Sequence, residues 1–117
     1  MAITTRTSGT VTIVELRGKM TADRGVAQFA ETIRGLLDNG QTRIVVNCED
    51  VPYLDSAGSG ELVKAYIAVS RRGGAIKLMH LRTGFWGGLL TITRLLTIFD
   101  TFDDEAKAIA SFGGDEA

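Results

Sequence analysis

The sequence predicts an α/β fold built on a mixed sheet of four to five strands. Three observations carry that prediction: two β-branched alternating runs open the chain on either side of Ser8-Gly9, long segments later repeat apolar residues at helical spacing, and short apolar runs alternate with those segments. A hairpin followed by helix crossovers makes the later strands parallel, which gives a mixed sheet.

Ile3 to Thr7 and Val11 to Arg17 read as the hairpin, with Val11, Ile13 and, after a shift at the end, Leu16 suited to a half-buried second strand. Thr21 or Asp23 is the expected cap of a first helix from about Ala22 to Asp38, where Val26, Phe29, Ile33 and Leu36/Leu37 recur every three or four residues and Asn39-Gly40 supplies the stop. Arg43 to Cys48 is a short β-branched run expected as a central strand buried on both faces. A second helix is expected from Ser56 to Arg72, carrying the stripe Leu62, Val63, Tyr66, Ile67 and Val69. Ala75 to Leu81 reads as the next strand, Trp86 to Leu96 as a third helix, and Ile98-Phe99 as a minimal edge strand. Asp103 or Asp104 starts a short last helix with Ala106, Ala108, Ile109 and Phe112 on its packed side.

Length and composition bound the function. A chain of 117 residues holds one domain of ordinary size, taken as 1–112, with 113–117 as a flexible tail. Thirteen Lys+Arg against fourteen Asp+Glu leave a net charge of -1, so the broad basic footprint of a direct nucleic-acid binder is missing. One cysteine, Cys48, and one histidine, His80, exclude an internal disulfide and a four-ligand structural zinc site. Arg6, Glu15, Arg17 and Lys19 interrupt the apolar residues of the first twenty positions, so no signal peptide or spanning helix is expected there, and the default address is the cytoplasm without membrane insertion.

The informative stretch is Asp55-Ser56-Ala57-Gly58-Ser59-Gly60, where a serine at a helix start sits beside unpaired backbone amides. A phosphoserine adds about -1.5 to -2 charges, and a helix amino terminus tolerates that charge. On a docking surface, beside Asp55, the same charge repels a partner that accommodates a neutral hydroxyl. The plainer reading of these residues is a capping turn, with Asp55 or Ser56 bonding backbone amides and the glycines allowing close packing. Gly58-Ser59-Gly60 lacks the spacing of a nucleophile elbow, and the segment lacks the Lys-Ser/Thr ending of a P-loop, so neither a hydrolase nor a nucleotide-binding enzyme is supported. No cofactor is implied.

Val51-Pro52-Tyr53-Leu54-Asp55-Ser56-Ala57-Gly58-Ser59-Gly60 resembles the signature of the STAS domain as found in bacterial anti-sigma factor antagonists. Gly18-Lys19-Met20, Arg43-Ile44-Val45-Val46-Asn47, Gly73 to Leu78, Leu89-Leu90 with Thr93, and Ile98 to Asp104 extend the likeness over nearly the whole chain. The resemblance implies a mixed sheet packed with four to five helices and a switch without catalysis of its own. In that family the dephosphorylated protein binds an anti-sigma factor that is also a serine kinase and frees the sigma factor. Phosphorylation of the serine after the signature Asp turns it off, and a Ser/Thr phosphatase resets it. Ser56 matches that serine and Asp55 the signature Asp.

The partner-binding surface implied by the likeness comprises Asp55, Ser56, Ala57, Gly58 and Ser59 with Thr21 and Asp23. Two positions depart from the family pattern. Ser59 stands where Leu is usual, removing an apolar contact and adding a second hydroxyl able to compete as acceptor. Thr21 stands where Asp is usual, with Asp23 the nearest carboxylate. The alternative reading is a non-switching STAS subunit of a larger assembly, such as a stress-signalling scaffold or a phospholipid-transport complex.

Other residues carry plainer readings. His80 is assigned no role, and Cys48 is read as an inert buried thiol. Arg71-Arg72 with Lys64 and Lys77 are taken as solvated charges, and Trp86 as packed under the third helix.

Overall fold

The computed structural model describes residues 1–81, 95 and 97–113. Its sheet has five strands in the spatial order of the chain, β1 (Ala2–Ser8), β2 (Val11–Arg17), β3 (Arg43–Asp50), β4 (Ala75–Met79) and β5 (Thr101–Phe102). β1 pairs antiparallel with β2, from Ala2 opposite Arg17 to Ser8 opposite Val11, and every later pairing is parallel. The expected mixed α/β sheet is therefore the observed one. Three helices have both ends among the described residues, α1 (Val26–Asp38), α2 (Ser56–Arg71) and α3 (Glu105–Ala110), against the four to five expected. Leu95, Thr97 and Ile98 carry helical backbone, while most of the segment 86–96, including Trp86, lies outside the described residues, as do 114–117 of the expected tail.

The alternation of side chains along each strand divides the core in two. Val14 and Leu16 of β2, Ile44, Val46 and Cys48 of β3, and Ile76 and Leu78 of β4 pack with Phe29, Ile33 and Leu37 of α1 and Leu62, Ala65 and Val69 of α2. On the opposite face Val11, Ile13, Val45 and Met79 meet Ala108 of α3. β2 is thus buried on both faces and is not the half-buried strand its pattern suggested. Its residues alternate correctly, but α3 covers the second face.

Two element boundaries differ from expectation for identifiable reasons. Neither Thr21 nor Asp23 caps α1. They bond each other, while Thr21 and Arg24 exchange backbone hydrogen bonds of 2.6 and 2.9 Å in a closed turn, and α1 starts only after Gly25, whose φ of 87° ends that turn. The edge strand is Thr101–Phe102 and not Ile98-Phe99, because Phe99 still donates to the Leu95 carbonyl and belongs to a helical turn. β4 also stops at Met79, where His80 turns to φ 58°. Lys77 is not part of a patch with Arg71 and Arg72: its ammonium lies under α3, bonded to the Ser111 hydroxyl at 2.8 Å and 4.5 Å above the Phe112 ring.

Candidate functional site

The carboxyl ends of β2 and β3 carry the loops that hold the candidate site, where a parallel sheet ordinarily places its functional residues. These two loops are paired to each other: Gly18 donates to the Asp50 carbonyl, Met20 donates to the Tyr53 carbonyl at 3.0 Å, and Met20 and Leu54 form a parallel bridge. Asp55 follows directly as the cap of α2. One carboxylate oxygen, Oδ1, accepts from the Gly58 amide at 2.9 Å, and the other, Oδ2, accepts from the Ala22 amide at 3.1 Å. A single side chain therefore satisfies a first-turn amide of α2 and fastens the β2–α1 loop to it.

Ser56 is the first residue of α2 and is exposed. Gly58 is buried because the Met20 backbone passes over the helix start, so close that a Cβ there would stand 2.2 Å from the Met20 carbonyl oxygen. Only glycine permits this approach. Ala57, between them, is half-buried.

Ser59 is 2% exposed, and its Oγ has no hydrogen-bond partner among the described residues. The hydroxyl expected beside Ser56 at the surface points into the core, which corrects its place on the docking face. The signal was present in the sequence, since Ser59 precedes Leu62 by three residues and continues the inward stripe of Leu62, Ala65 and Val69.

Thr21 is also nearly buried, and its hydroxyl donates to Asp23 Oδ1 at 2.6 Å. That bond, more than any other influence, holds the Asp23 carboxyl below its ordinary value, so the fully exposed group of the pair is an anion. The Ala22 amide between them is the donor to Asp55, so the loop residues and the start of α2 form one constellation. Sequence reasoning missed the Ala22 amide, which has no side-chain signature, and the exposed Tyr53. Tyr53 lines a cleft of about 520 Å³ together with Lys19, Thr21, Asp23 and Arg24.

Nothing in this arrangement resembles an acid–base pair or a metal cage. Among the described residues no group of three or more His, Cys, Asp or Glu side chains is placed to hold a metal ion, and no helix is long and apolar enough to cross a membrane. Cys48 is buried, and burial pushes its thiol up to about 12, so it stays protonated at neutral pH.

The STAS domain family model matches residues 2–108. The chain belongs to the STAS domain family. This STAS domain is similar to a candidate anti-sigma factor antagonist of Thermotoga maritima, with 20% identity, a TM-score of 0.83, and coverage of 94% of this chain and 93% of that one. It is also similar to an anti-sigma factor antagonist from Mycobacterium paratuberculosis, at 14% identity and a TM-score of 0.77 over 95% and 92% of the two chains. The phosphorylated form of the Bacillus cell fate determinant SpoIIAA shares 20% identity and a TM-score of 0.67 over 94% of this chain and 98% of its own. The comparison of this chain with curated protein sequences found no significant match.

Proposed function

We propose that this STAS domain, taken as residues 1–112 with a short tail, is an anti-sigma factor antagonist controlled by phosphorylation of Ser56. It has no catalysis of its own. The observation that carries the reading is the exposure of Ser56 at the first position of α2, directly after Asp55, while the neighbouring hydroxyl of Ser59 is buried. A kinase acting on this segment meets one accessible serine. Both Asp55 oxygens are engaged by backbone amides, so its negative charge is held in place next to the Ser56 hydroxyl.

With Ser56 unmodified, a partner surface packs against the start of α2, the Asp23 carboxylate and Tyr53. Phosphorylation adds about -1.5 to -2 charges beside the fixed Asp55 carboxylate, and the partner is repelled while the fold, whose helix amino terminus favours the anion, persists. The partners in this reading are an anti-sigma factor serine kinase and a Ser/Thr phosphatase in a bacterial cytoplasm. No nucleic acid is contacted and no membrane is entered. The likeness to the phosphorylated form of SpoIIAA supports the reading.

The test is incubation with the cognate anti-sigma kinase and ATP, followed by mapping of the phosphate. Incorporation at Ser56 that vanishes in Ser56→Ala is the expected result, with Ser56→Asp losing kinase affinity at an unchanged fold. Stable kinase-independent assembly with no incorporation would overturn it in favour of a non-switching subunit of a larger complex.

A further inference from the structure

Away from Asp55 and Ser56, α1 and α2 lie side by side and leave a groove of about 270 Å³ between them. Its floor is aliphatic, made by Ala30, Ile33 and Leu37 of α1 with Ala65 and Ala68 of α2. The alanines are too short to fill the space between the helices. The rim is cationic, with Arg34, Lys64 and Arg72 against the single acid Glu61, on a chain whose net charge is -1.

The rim is partly pre-organised. Arg72 donates one guanidinium N–H to the Leu37 carbonyl at 3.1 Å, which fixes its head across the end of the groove and leaves most of its five donors uncommitted. Among the described residues Arg34 and Lys64 take part in no ion pair.

We infer that this groove docks an acidic amphipathic helix of a partner protein. Apolar side chains of that helix rest on the alanine floor and its carboxylates meet Arg34, Lys64 and Arg72. The charge of the rim selects the sign of the partner, and the shape selects a helix over a small ligand. The groove between the two helices is open along its outer side, as an inserted helix face requires.

The site is separate from the Ser56 switch and does not rest on that reading. Lys64 and Arg72 follow Ser56 by 64 − 56 = 8 and 72 − 56 = 16 residues. Those separations are about 12 and 24 Å along the helix axis, beyond a Debye length of about 8–10 Å in ordinary buffer. Docking in the groove therefore persists when Ser56 is charged, so one STAS domain holds one partner while releasing another.

The test uses the whole ¹⁵N-labelled protein titrated with a synthetic 15-residue peptide carrying Leu and Glu at helical spacing, a copy with Lys for every Glu, and sodium dodecanoate. Amide shifts confined to residues 30–37 and 61–72 are expected with the acidic peptide, with at least about tenfold weaker binding to Arg34→Glu plus Lys64→Glu and less than about twofold change in Ser56→Asp. Both substituted residues are exposed, and thermal melting checks the fold. Should the double variant melt early, Arg34→Gln and a salt series on the native protein read the same electrostatic dependence. Equal binding of the lysine peptide, shifts outside the groove, or binding of dodecanoate alone would overturn the proposal.

Discussion

Asp55 Oδ2 accepts a hydrogen bond from the Ala22 backbone amide across two separate loops. Its other oxygen caps α2 at Gly58, so one side chain sets the distance between the β2–α1 loop and the helix start that carries Ser56. The position of the candidate site depends on this clamp, not on the sheet alone.

Replacing Asp55 by Ala removes both bonds and should cost about 2 to 3 kcal/mol, the loss of a helix cap plus a charge-assisted hydrogen bond. Asn at the same position retains one oxygen, caps about as well as Asp, and lacks the second acceptor for Ala22, so its cost should be about 1 kcal/mol. Urea unfolding of the three proteins measures the order. Equal stability of Asp55→Asn and Asp55→Ala would remove the clamp from the account.

Gly58 and Gly60 offer a controlled contrast on one helix. A Cβ at Gly58 would meet the Met20 carbonyl at 2.2 Å, whereas no atom of the described residues lies within 4 Å of one at Gly60. Gly60→Ala should stabilise by about 0.5 to 1 kcal/mol through the unfolded chain's lost freedom. Gly58→Ala should destabilise by about 3 kcal/mol or more, since a backbone segment and not a flexible side chain must move. Melting temperatures that shift in the same direction for both variants would contradict the close approach.

The buried Ser59 hydroxyl gives the third prediction. An alanine in its place removes a polar atom without a partner among the described residues and improves helix propensity, so Ser59→Ala should stabilise by about 1 kcal/mol. Ser59→Leu must fit two further heavy atoms and a branch into the core and should destabilise by about 1 to 3 kcal/mol. Its effect is on the fold and not on an added docking contact. Chemical denaturation decides the point, and a leucine variant more stable than the alanine one would show unfilled space beside α2.

Much of this was legible because local pattern and global packing agree. The hairpin, the apolar period of α1 through Phe29, Ile33 and Leu37, and the Asp55 cap are each written within a few residues of themselves. What escaped depends on distant partners. The start of α1 was misplaced because Thr21 and Asp23, good caps in isolation, are spent on each other. The burial of both β2 faces needs α3, which arrives at the far end of the chain, and the Asp55–Ala22 bond spans 33 residues. Thr101–Phe102 is too short to show a period, and its pairing with Leu78 and Met79 is what makes it a strand.

The last prediction concerns the contact that ties α3 to the edge of the sheet. Arg6 on β1 donates to Glu105 at the start of α3, with Glu15 as a further partner. The hydrogen bond from Arg6 is the main reason that the Glu105 carboxyl titrates below its ordinary value of 4.5. A carboxyl depressed in the folded state contributes stability that is complete above its unfolded value and is lost as pH falls through the folded one. Arg6 stays charged throughout, its own value being raised by the same hydrogen bond. The side chains are 44% and 36% exposed, so solvent screening limits the pair to about 0.5 to 1 kcal/mol. Glu105→Gln should therefore melt a few degrees lower than the native protein between pH 5 and 7, and the gap should close as the pH falls below about 4. A gap that is constant down to pH 2.5, or that vanishes at pH 7 in low salt, would show that the contact contributes nothing through its charge.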